Sequence, residues 1–103
     1  MLIKAFIAKV EAYERKESAG GGYSAVIAIK KLEGNSYREG ELVDKIQLPK
    51  FDDQGEAMQA AYEKVEAFER ANGDRLSVAH FASNKYRKDY TIWKDVPNKT
   101  RVI

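Results

Sequence analysis

The feature that most constrains the fold of this chain is one long helical stripe. Met58, Ala61, Tyr62, Val65 and Phe68 recur at helical spacing between Asp53 and Asn72. A helix with a single apolar face has to bury that face against another element, so the rest of the chain must supply a partner layer. The start is marked by Asp53, with Glu56 three residues on, in the manner of a capping box. Asp52, Asp53 and Glu56 also stand near the positive end of the helix dipole. Asn72-Gly73 predicts a left-handed stop. Gly55 in the first turn is the one weak point.

The partner layer is read from segments that alternate with period two. Residues 22–31 predict a strand, with Tyr23, Ala25, Ile27 and Ile29 on one side and Ser24, Val26, Ala28 and Lys30 on the other. Glu33-Gly34-Asn35-Ser36 reads as a turn. A further strand is expected over 41–48, with Leu42, Ile46 and Leu48 on one face and Val43, Lys45 and Gln47 on the other. Pro49 ends it, because proline cannot donate to a ladder. Residues 1–16 fit two patterns. Ile3, Phe6, Ile7, Val10 and Tyr13 suit a helical stripe, while Leu2, Phe6, Ala8, Val10 and Ala12 suit one face of a strand with Lys4 as an exception. The lack of an N-cap residue favours the strand. Glu17 to Gly22 suits a mobile hairpin connection.

The expected class is therefore α+β: a three-stranded antiparallel meander with one helix across a face (β-β-β-α), followed by one or two short C-terminal strands. Those last pieces are suggested by Leu76, Val78, His80 and Ala82, and by Tyr90, Ile92 and Trp93. The helix would cover Ile27, Ile29, Leu42, Ile46 and Leu48. The order resembles that of the arm-binding modules of integrases, which read DNA with a sheet face. Here Val26, Ala28 and Val43 stand where such a reader would show arginines.

A length of 103 residues fits one small domain, 1–103, with residues 97–103 expected to fray. An apolar content of 44% is enough for a core and excludes wholesale disorder. There is no cysteine, which excludes a disulfide framework and any thiolate zinc site. The N-terminal apolar run is interrupted by Lys4 and Lys9 and lacks the h-region of a signal peptide. The expected location is the cytoplasm, without membrane contact. Charge is unevenly placed. Residues 52–74 hold seven acids against two bases, and residues 75–103 hold seven bases against two acids. Two such blocks can attract one another within the fold or present different faces to partners.

No constellation points to catalysis. His80 is the only histidine, and on a strand Ser77 would face away from it. Glu63, Glu66 and Glu69 read as a solvated helix side. Gly20-Gly21-Gly22 is followed by a strand, whereas a phosphate loop opens a helix. No cofactor, metal site or small-molecule substrate is indicated. Two binding readings remain. The first is a protein–protein interaction module, acting on a protein partner or on a second copy of itself. Its contact would be the sheet face away from the helix or an edge strand, with Val26, Ala28, Val43, Lys45 and Trp93 as the candidate residues. The second is a nucleic-acid module using the basic and aromatic segment near the C-terminus. Lys85, Arg87, Lys88, Lys94 and Arg101 would meet phosphates, and Tyr86 or Trp93 would stack on bases.

Overall fold

The computed structural model describes residues 2–33, 38–73, 75–78 and 86–96. Among these residues five strands and one helix follow in the order β1 (Leu2–Glu14), β2 (Tyr23–Leu32), β3 (Glu39–Gln47), α1 (Gln54–Asn72), β4 (Arg75–Val78) and β5 (Arg87–Asp95). A 3₁₀ turn at Glu17–Ala19 lies between β1 and β2. All five strands form one antiparallel sheet in the order β3-β2-β1-β5-β4. The first segment is thus a strand, and it lies at the centre of the sheet.

The meander of three strands is correct for β1, β2 and β3, but the sheet does not end there. β5 pairs along almost the whole of β1, from Leu2 opposite Asp95 to Glu11 opposite Arg87. What looked like a short C-terminal piece is a nine-residue strand that completes the centre of the sheet. The helix returns the chain to the far side of β1, where β5 finds an unpaired edge. This closure also sets the fold apart from a plain β-β-β-α module.

Alternation along the ladders explains the core. Ala8, Val10 and Ala12 of β1 lie opposite Ile29, Ile27 and Ala25 of β2, and all six are buried. Tyr90 and Ile92 of β5 continue the same face. Against it α1 sets Ala57, Met58, Ala61 and Val65. Alanines on both layers let helix and sheet approach closely. Phe68 meets Phe6 edge to face, with ring centroids 5.2 Å apart, and Tyr62 meets Tyr90 at 5.6 Å. The helical stripe read from the sequence is the buried one.

The helix starts as its sequence predicts. Asp53 is the N-cap, and its carboxylate accepts the Glu56 amide at 3.0 Å. Gly55 has a reason to be there: a Cβ at this position would stand 2.8 Å from the capping oxygen of Asp53. The helix end differs from expectation. Gly73 has φ −147° and is extended, not left-handed. A Cβ there would run into Ile92 and come within 2.7 Å of the Trp93 carbonyl oxygen. Close approach to β5, rather than a positive φ, is what calls for glycine. The β1–β2 connection is held rather than loose. Gly20, Gly21 and Gly22 all take positive φ, and the Arg15 guanidinium donates to the Ala19 carbonyl at 2.7 Å.

The faces of β3 also depart from simple alternation. Lys45 lies opposite Ala28 and Asp44 opposite Ile29, but Leu42, not Val43, lies opposite Lys30. Val43 is the extra residue of a bulge. A second irregularity follows before Glu39, which lies opposite Leu32. The first bulge moves Leu42 off the helix face, so α1 does not cover it and it is 47% exposed. Ile46 and Leu48 do join the core.

Candidate interaction surface

The sheet face away from α1, here the open face, can be laid out from the registers. Residues that pair directly share a face. One row across the strands runs Ser77, Thr91, Ile7, Lys30, Leu42. The next runs Asp89, Lys9, Ala28, Lys45, and the next Arg87, Glu11, Val26, Gln47. A bulge in β1 between Lys4 and Phe6 sets Lys4 opposite Trp93 on this face. Of the residues anticipated for it, Val26, Ala28 and Lys45 are brought together here, Trp93 shares the face but lies on β5, and Val43 sits at the bulge on its border.

The charges on this face are interleaved. Asp89 stands opposite Lys9, and Arg87 opposite Glu11. Lys9 on β1 reaches across β2 to Glu39 on β3, an ion pair of 2.5 Å, and Lys30 donates to the same carboxylate at 3.1 Å. The Lys9 hydrogen bond is the largest cause holding the Glu39 carboxyl below its usual range. Burial pushes the Asp89 carboxyl upward, with Lys9 opposing the shift. On the same face Ile7 and Thr91 are almost fully buried.

Two further groups stabilise the borders. Gln47 donates to the Tyr13 hydroxyl at 2.7 Å and to Ser24 Oγ at 3.0 Å, and Ser24 donates to the Leu48 carbonyl at 2.7 Å. At the other end the Trp93 indole donates to Ser77 Oγ at 2.7 Å. The Lys4 ammonium and Arg75 guanidinium stand over the Trp93 ring, 5.2 and 5.7 Å from its centroid.

The basic and aromatic segment is divided by strand alternation. Arg87 and Trp93 lie on the open face, while Lys88 and Tyr90 lie on the helix side opposite Val10 and Ala8. Tyr86, Lys88 and Tyr90 line a shallow pocket of about 380 Å³ beside Met58 and Tyr62. Lys94 is at the border of another depression, with Phe6 and Arg70. Lys85 and Arg101 lie outside the described residues, as do His80, Phe81, the turn at 34–36 and residues 97–103. A pocket of about 480 Å³ lies where the end of β1 meets the β3–α1 connection, lined by Tyr13, Arg15, Lys16, Leu48, Pro49 and Lys50 among others. Among the described residues no cluster of His, Asp and Glu could hold a metal ion, and no helix is long and apolar enough to cross a membrane.

The residue that sequence reasoning missed is Leu42, on the outer edge of the sheet. Every side chain of β3 is exposed except the half-buried Ile46. Leu42 at 47% and Val43 at 37% are the large apolar residues exposed among those described. No signal in the sequence marked Leu42, since period-two reading assigned it to the core. Comparison with protein-family models, with curated proteins and with solved structures found no match.

Proposed function

We propose that this chain is a small, non-catalytic protein–protein interaction module of the cytoplasm that self-associates through the β3 edge and the adjoining strip of open face. The observation that carries this reading is the exposure of Leu42 and Val43 on an edge strand. An edge strand presents unpaired backbone donors and acceptors, a template on which another chain can pair. The interaction site is then Leu42, Val43 and Lys45, bordered by Ala28 and Val26. Trp93 lies three strands away and belongs instead to the Ser77 and Arg75 cluster.

Among the described residues, geometry disfavours the nucleic-acid reading. Phosphate binding needs unneutralised cations gathered on one surface. Arg87 stands opposite Glu11, Lys9 is bound to Glu39, and Lys88 faces the other way.

Light scattering coupled to size-exclusion chromatography tests the proposal. The native chain is expected at twice its monomer mass, and Leu42→Asp at the monomer mass with an unchanged circular dichroism spectrum. A native chain that stays monomeric at high concentration overturns it. A complex that absorbs strongly at 260 nm and falls apart in salt would put the nucleic-acid reading in its place.

A further inference from the structure

The two irregularities of β3 give it an unusual side-chain order. Glu39, Leu42 and Lys45 all pair with residues of one β2 face, Leu32, Lys30 and Ala28. They are three residues apart, and in a regular strand residues three apart would point to opposite faces. Each irregularity inserts one extra residue and restores the common face. The open side of the edge therefore carries an acid, an exposed leucine and a base at equal steps.

Resting on the self-association argued above, we infer that a second copy of this chain pairs antiparallel with β3 about a two-fold axis through Leu42. Rotation about that axis sets Leu42 against Leu42 of the second copy. Glu39, whose carboxylate also holds Lys9 and Lys30, then comes opposite Lys45 of the second copy, and Lys45 opposite its Glu39. The order acid, leucine, base is unchanged by the rotation except that each charge meets its opposite. An isologous contact requires this self-complementarity. The irregularities also fall on either side of Leu42, so each faces the other copy's irregular stretch instead of regular strand. Moving the axis to Val43 destroys the match. Leu42 would then meet Asp44 of the copy, and Asp44 lies on the helix side, opposite Ile29. The pairing would join two five-stranded sheets into one of ten strands and cover the most exposed large apolar side chain among the described residues.

The chain has no cysteine, so single introduced thiols report the register directly. Directly opposed residues in an antiparallel pair have Cα atoms about 4.5–5.5 Å apart, within disulfide range. In the inferred register Leu42→Cys forms a covalent dimer under mild oxidation. Lys45→Cys does not, because its counterpart lies six residues along the strand, about 20 Å away. Leu42 is exposed, so the variant should fold; circular dichroism on each variant verifies this. Dimeric protein in which Val43→Cys or Lys45→Cys cross-links faster than Leu42→Cys overturns the register while leaving self-association standing. So does dimeric protein in which none of the three cross-links. A native chain of monomer mass removes both.

Discussion

The indole N–H of Trp93 donates to the Ser77 hydroxyl at 2.7 Å, across the pair of strands that forms the β4 side of the sheet. β4 spans only Arg75–Val78 and pairs with β5 over those four residues, so this side-chain bond adds to a short backbone ladder. Ser77→Ala leaves a half-buried indole donor without its acceptor. The expected loss is about 1 kcal/mol in urea unfolding. Trp93 is the only tryptophan, so its emission should shift as well. An unchanged midpoint and spectrum would show that the bond contributes nothing to holding this edge.

Gly73 lies close against β5. Gly73→Ala places a methyl against Ile92 and the Trp93 carbonyl oxygen, neither of which is the free end of a flexible side chain. Overpacking of this kind costs about 1–3 kcal/mol, to be read as a lower midpoint in thermal unfolding. Were the left-handed cap suggested by Asn72-Gly73 the true reason for glycine, asparagine at 73 would be tolerated. The extended φ predicts instead that Gly73→Asn fails as badly as alanine.

The parts of the fold that could be read in advance are those where one side-chain period runs unbroken. Met58, Ala61 and Val65 announce α1, and Ala25, Ile27 and Ile29 announce β2. Reading failed where a backbone irregularity shifts the period. The bulge at Val43 turned Leu42 from a core residue into an exposed one, and nothing local in Glu41 to Asp44 marks it. It failed also where pairing is distant in sequence. β5 carries charges on both faces, at Lys88 and Asp89, and its place beside β1 depends on contacts more than seventy residues apart. The candidate surface was half legible for the same reasons. Val26, Ala28 and Lys45 were placed correctly by alternation, while the central residue of the edge was hidden by the bulge.

The helix start offers a simple check on capping. Asp53→Ala removes the acceptor of the Glu56 amide and should lower stability by about 1 kcal/mol in urea. Asp53→Asn keeps a side-chain oxygen and should retain most of it. Equal losses in the two variants would mean that the charge, not the hydrogen bond, matters at this end.

Thr91 is buried on the open face, and its hydroxyl has no hydrogen-bond partner among the described residues. Such a group keeps its desolvation cost without return. Valine has nearly the same shape. Thr91→Val is expected to raise stability by about 1 kcal/mol. A loss of similar size would mean that the hydroxyl is bonded in solution, to water or to the remainder of the chain.

Glu39 and Asp89 both stand near Lys9 yet are shifted in opposite directions, and their effects on stability should differ in sign. The Glu39 pKa is lowered on folding, chiefly by the Lys9 hydrogen bond. Its contribution is present above its unfolded pKa and is lost as the pH falls through the folded one. The Asp89 pKa is raised by burial, so the folded state holds that proton more tightly than the unfolded chain does. Asp89 therefore favours folding most in acid, below about pH 4, and loses that contribution as the pH rises through the folded value. Glu39→Gln should be less stable than the native chain at pH 7, with the gap closing in acid. Asp89→Asn should gain relative to the native chain on going from acid to pH 7, since asparagine avoids the buried negative charge. Urea unfolding of the three proteins at several pH values measures both slopes. Parallel slopes would mean that Lys9 governs both carboxylates alike and that burial of Asp89 is unimportant.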